Sequence, residues 1–176
     1  MEASEEKRDE YKELIKDIPL QSLVYIDESG IELTMCKDRG WGKKGKKLAS
    51  KKSGKYYDRT NIIAGLVHNK PIAPMIFNGT CNTELFNNWV EQFLIKELKS
   101  GQVVIMDNAS FHKSQKTRDL IESVGCKLIF LPPYSPDLNP IEKFWANMKR
   151  WIKNKITDVG QLYKTIDLFF IAPNTK

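Results

Sequence analysis

Three acids stand where carboxylates could converge: Asp27 near the end of an apolar run rich in strand formers, Asp107 directly after the apolar run 103–106, and Glu142 just behind an Asn-Pro pair that opens a helix. Carboxylate oxygens are the donors that hard dications such as Mg²⁺ prefer. Two such ions about 4 Å apart can activate an attacking oxygen and stabilise a leaving one in an in-line displacement. Each acid also has an ordinary reading. An Asp closing a strand is a common turn former. With Asn139 as N-cap and Pro140 at the first helical position, Glu142 falls third, where it can reach back to the cap. Local chemistry leaves both readings open.

The elements that must position these acids can be read from periodicity and turn residues. An acidic lead-in, 1–19, is expected as a short helix ending at Pro19, followed by a domain over 20–172 and a tail, 173–176. Strands are expected at 23–29, 31–36, 60–67, 72–77, 103–106 and 127–131, the fifth so apolar that it should be buried on both faces. Helices are expected from Asn82 or Thr83 to Lys99, from Ser114 to Val124, from Ile141 to Lys155 and from Asp158 to Ile171. In the third of these, Ile141, Phe144, Trp145, Met148, Trp151 and Ile152 form an apolar stripe, with Glu142, Ala146, Lys149 and Lys153 on another face. That polar face suits a phosphate backbone, and a merely solvated helix would show the same pattern. Strands first and then alternating helix and strand imply an α/β fold, a mixed sheet with helices on its faces. Sites in such sheets lie beyond the carboxyl ends of the strands, where Asp27 and Asp107 would meet.

Composition narrows the partners. The 176 residues suit one domain, and the net charge is +6. Between Lys37 and Arg59, ten Lys or Arg face only Asp38 and Asp58, which implies a polyanionic partner or a solvated lysine loop. Within it, Lys43, Lys44, Lys46, Lys47, Lys51 and Lys52 are candidate nucleic-acid contacts. No apolar run approaches the roughly 20 residues of a membrane span. Cys36, Cys81 and Cys126 are odd in number and isolated, which argues against a disulfide framework or zinc site and fits a reducing cytosol. They read as small buried hydrophobes.

Three segments, VYIDESGI (24–31), VVIMDNASFHKS (103–114) and LIFLPPYSPDLNPIEKFWANMK (128–149), resemble the signature blocks of mariner-type transposases, in particular their bacterial insertion-sequence branch. GWGKKGKK (40–47) is similar to that branch's glycine–tryptophan–glycine segment, and the 34 residues between Asp107 and Glu142 match the family's Asp-Asp-Glu interval. The resemblance implies a ribonuclease-H-like fold, a mixed five-stranded sheet flanked by helices. It implies metal-dependent DNA cleavage by water and then strand transfer by the liberated 3′-hydroxyl. It also implies two Mg²⁺ ions, or Mn²⁺ in their place, with Asp27 bridging them and Asp107 and Glu142 holding one each. Double-stranded DNA, at the element ends and at the target, is the implied partner, a homodimer on DNA the implied assembly, and the bacterial nucleoid the implied place.

Several neighbours join the list of expectations. Asn108 and His112 are expected to order the loop of the second acid or to touch the scissile strand. Lys149 and Lys153 are expected beside the DNA. Glu28 should point to the opposite face from Asp27 and act structurally or behind the site. Tyr134 and Trp41 could stack on bases or pack locally, and packing is preferred. Family members carry a helix-turn-helix region before the first acid, and no such motif precedes Asp27 in the 26 residues here. A separate N-terminal half would supply it. Two other readings stay open: a non-catalytic DNA-binding fragment, and a junction-selective nuclease on the same fold.

Overall fold

A computed structural model of the chain describes residues 4–32 and 59–171. Its centre is a five-stranded sheet in the order β3-β2-β1-β4-β5, formed by β1 (Leu23–Ile31), β2 (Thr60–Val67), β3 (Lys70–Phe77), β4 (Val103–Met106) and β5 (Lys127–Phe130). The first three strands pair antiparallel, while β1, β4 and β5 run parallel, so the sheet is mixed as expected. Between β2 and β3 the chain reverses through His68 and Asn69, both at positive φ, the backbone that matches the twist of a tight hairpin.

Alternation along the strands builds two cores. Leu23, Tyr25, Val103 and Ile105 face one side, where α5 (Ile141–Val159), α6 (Leu162–Ile171) and α1 (Glu5–Ile15) pack. Val24, Ile26, Val104 and Met106 face the other, against α2 (Thr83–Trp89), its π-helical continuation Val90–Leu94, a last turn α3 (Ile95–Glu97), and α4 (Gln115–Ser123). All four residues of β4 are buried, so it is a strand covered on both faces. Tyr11 of α1 is buried in the first core, so the lead-in is part of the packed body.

Several boundaries differ from the sequence reading. Gly30 does not end the first strand; β1 runs on to Ile31 because β2 pairs with it as far as Ile31↔Thr60. Asp27 therefore lies inside a strand and not near its end. The expected strand 31–36 falls mostly outside the described residues. The helix expected from Asp158 begins at Leu162, because α5 continues to Val159 and stops only at Gly160. Gly160 sits at φ 71° and donates its N–H to the Ile156 carbonyl, a left-handed helix ending that favours glycine. Asn82 caps its helix as expected, accepting from the Leu85 amide, while Ser114, expected as a first helical residue, is itself the cap and accepts from that of Thr117.

Gly160→Ala places a Cβ on a left-handed residue and should destabilise the fold by about 1 kcal/mol. The denaturant midpoint should fall with an unchanged slope.

Candidate active site

The strand register brings the first two acids together. The parallel ladder of β1 and β4 ends at Tyr25↔Ile105. Two residues further along each chain stand Asp27 and Asp107, one still inside β1 and one just past β4. Thus β4 ends where β1 continues, and an interior residue of β1 lies at the carboxyl end of the parallel half-sheet. The third acid arrives from α5, which packs across β1. Trp145, buried at the α5–sheet interface, donates its indole N–H to Asp27 Oδ2 at 3.1 Å. Glu142 lies three residues earlier, nearly one helical turn. Asp27, Asp107 and Glu142 line one cavity of about 360 Å³, together with Asn108, Leu131, Asn139 and the proline-rich turn 132–136.

The capping alternative for Glu142 is not realised. The Asn139 amide is already spent on the Pro136 carbonyl, its side chain does not cap the helix, and its Oδ1 is buried without a hydrogen-bond partner among the described residues. The Asn139 backbone carbonyl instead accepts the Glu142 N–H at 3.2 Å.

Electrostatics separate the acids. Burial, reinforced by the negative charges of Glu28, Glu142 and Asp107, pushes the Asp27 carboxyl up to about 7. Asp107 goes the other way, held below the usual carboxylate range chiefly by its hydrogen bond with His112. His112 is wholly buried, with Nδ1 2.6 Å from Asp107 and Nε2 2.9 Å from Glu28. Burial works against its cation, but the bonds to Asp107 and Glu28 outweigh that and raise it to about 9. Oxygen donors with surplus negative charge suit a hard dication, which would relieve the crowding that burdens Asp27. Among the described residues, no group of three or more such side chains is already drawn together closely enough to hold an ion.

The remaining expected residues divide. Asn108 donates its amide to the Leu131 carbonyl, pinning the loop after β4 to the end of β5, and it lines the cavity. Lys149 and Lys153 sit with Arg150 and Glu32 around a separate concavity of about 470 Å³ and do not line the carboxylate cavity. Glu28 points to the opposite face from Asp27, as strand alternation requires, yet it meets the second acid's loop through His112. Tyr134, expected to pack, is 67% exposed, lines the cavity and adopts φ 55°. Cys126 is buried and Cys81 half-buried, both as free thiols. Lys43, Lys44, Lys46, Lys47, Lys51, Lys52, Trp41 and Cys36 lie outside the described residues. No described helix is long and apolar enough to cross a membrane.

Sequence reasoning missed the role of Trp145, which it assigned to the apolar stripe. A buried indole still needs an acceptor, and that need was the available signal. It also missed the bridge from Glu28 to Asp107, which had no local signal.

The Asp27 shift carries a pH prediction. Because its folded value exceeds the ordinary 3.8, the unfolded chain ionises first as pH rises. Its contribution to stability is therefore full below about 4 and is lost as pH rises through about 7. In chelated buffer the melting temperature should fall between pH 5 and 7.5, and Asp27→Asn should flatten that fall.

Comparison with known proteins agrees with this geometry. The family model described as DDE superfamily endonuclease matches residues 22–163. A segment of 55 residues is 40% identical to the uncharacterized protein y4pE/y4sA of Sinorhizobium fredii, covering 31% of this chain and 38% of that protein. Another of 44 residues is 46% identical to the Tc3 transposase of Caenorhabditis elegans, covering 25% of this chain and 13% of that protein. In fold, the chain is similar to the Mos1 transposase in a paired-end complex with the left transposon end, at a TM-score of 0.71 and 17% identity over 99% of this chain and 57% of that one. It is also similar to the Mos1 catalytic domain solved with raltegravir and Mn, at a TM-score of 0.65 and 16% identity over 99% of this chain and 86% of that one. The chain thus spans well under half the length of the curated relatives it matches. With the family model covering most of its length, this chain belongs to the DDE superfamily endonucleases.

Proposed function

We propose that the chain is the catalytic part of a mariner-type transposase of the bacterial insertion-sequence branch, cutting DNA at element ends and joining it to a target. One observation carries the reading: the acids of three separate sequence blocks, Asp27, Asp107 and Glu142, line a single cavity. These three would hold two divalent ions, Mg²⁺ or Mn²⁺, which when bound activate the attacking oxygen and stabilise the leaving one.

The chain's own groups prepare that chemistry. Trp145 holds Asp27 Oδ2 in place from α5, and Asn108 ties the Asp107 loop to Leu131. The proline-rich turn 132–136 lines the cavity together with the three acids. Tyr134, exposed at the rim, offers a ring on which a base beside the scissile phosphate can stack. Lys149, Arg150 and Lys153 supply positive charge along α5 for the DNA backbone, with the lysines of 43–52 as further contacts. Homodimerisation on DNA, a separate helix-turn-helix half that reads element ends, and residence in the nucleoid complete the proposal.

Plasmid nicking titrated with Mn²⁺ tests the triad. Asp27→Asn, Asp107→Asn and Glu142→Gln should each lower the rate about 10³-fold, about 4 kcal/mol of barrier, while circular dichroism stays unchanged. Nicking unaffected by any of the three sinks the assignment. Salt-sensitive DNA binding with no nicking at any metal concentration would instead favour a non-catalytic DNA-binding fragment.

Tyr134→Gly separates fold from function. Relief of the left-handed φ should raise stability by about 1 kcal/mol, whereas loss of the ring should weaken DNA binding several-fold. Thermal melts and fluorescence anisotropy with a labelled duplex read the two effects.

A further inference from the structure

Asp107 does not present its two oxygens equally. Oδ1 accepts the Ala109 backbone N–H at 2.8 Å and faces His112 Nδ1 at 2.6 Å, which fills the two in-plane lone pairs of a carboxylate oxygen. Oδ2 accepts no hydrogen bond among the described residues. The imidazole that occupies Oδ1 cannot turn freely, because it is wholly buried with Phe86 and Phe111 against it, each ring centroid 4.4 Å away. Its far nitrogen meets Glu28 Oε1 at 2.9 Å, and the Glu28 side chain is only 17% exposed. Glu28 follows Asp27 directly on β1, so one strand carries an acid of the cavity on one face and the anchor of this strut on the other.

We infer that Glu28, acting through His112, is a positioning residue that fixes which oxygen of Asp107 faces the cavity, so that Asp107 offers a cation Oδ2 alone. The inference rests on the reading of Asp107 as a metal ligand. Orienting partners of this kind commonly change metal affinity 10–100-fold when removed. The strut also explains why a buried imidazole is spent between two carboxylates on the sheet face opposite α5. It links β1 to the loop after β4, so the first and second acids share one reference frame.

Mn²⁺ affinity of the DNA-free protein, read from the electron paramagnetic resonance signal of unbound Mn²⁺, tests this with melting curves as the check on folding. Glu28→Leu should weaken binding about 10–100-fold. Glu28→Gln, equally uncharged but still able to accept from His112 Nε2, should recover most of that loss, which separates the hydrogen bond from the charge. His112→Gln can still reach Glu28 but has no atom at the Nδ1 position, and it should lose as much as Glu28→Leu. If Glu28→Leu fails to fold, His112→Gln decides alone. A folded Glu28→Leu or His112→Gln that binds Mn²⁺ as tightly as the wild type overturns the strut, as does Glu28→Gln binding no better than Glu28→Leu. Wild type and Asp107→Asn binding Mn²⁺ equally would overturn the ligand reading itself, and the strut with it.

Discussion

Carboxylates gathered around one cavity repel each other, and the rest of this structure is organised by the need to hold them there. Asp27 bears most of that load: burial first, and then the negative charges of Glu28, Glu142 and Asp107, push its carboxyl up to about 7.

Each acid is held by a different layer of the fold. Asp27 lies inside a strand paired on its other edge by β2, so its backbone cannot retreat. Asp107 follows a strand buried on both faces, where a shift of one residue would turn every side chain of β4 to the wrong core. Glu142 sits in the first turn of a helix whose Ile141, Trp145, Met148, Ile152 and Ile156 are all in the first core. The indole of Trp145 ties that helix to Asp27 and meets part of the acid's demand for hydrogen bonds.

Charge compensation is divided between the two faces of the sheet. On the α5 face, Asp27 and Glu142 meet no cation that the described residues place within an ion-pair distance. On the other face, the buried imidazole of His112 stands between Asp107 and Glu28, whose bonds raise it to about 9. The result is an asymmetric site, with the Asp107 carboxyl held below the usual carboxylate range and that of Asp27 pushed above it. Divalent ions would supply the positive charge that the α5 face lacks, and oxygen donors suit them.

How much of this was legible in advance depends on the range of the interactions. Strand and helix identity, the buried character of Val103–Met106, the cap at Asn82, and the stripe of α5 followed from local periodicity and turn chemistry, which tertiary packing did not override. The ordered sequence blocks singled out Asp27, Asp107 and Glu142. What neighbours in sequence could not decide was anything set by register or by contact across the sheet. Gly30 looked like a strand end until β2 paired past it, and Glu142 looked like a capping partner until the Pro136 carbonyl took the Asn139 N–H. Trp145 as a donor to Asp27, and Glu28 in contact with His112, bring together residues 118 and 84 positions apart. From its sequence alone this protein has its elements, its fold class and its three acids. Which side chains hold those acids, and which oxygen of Asp107 remains open, was decided only when the strands registered, because such contacts have no local period to announce them.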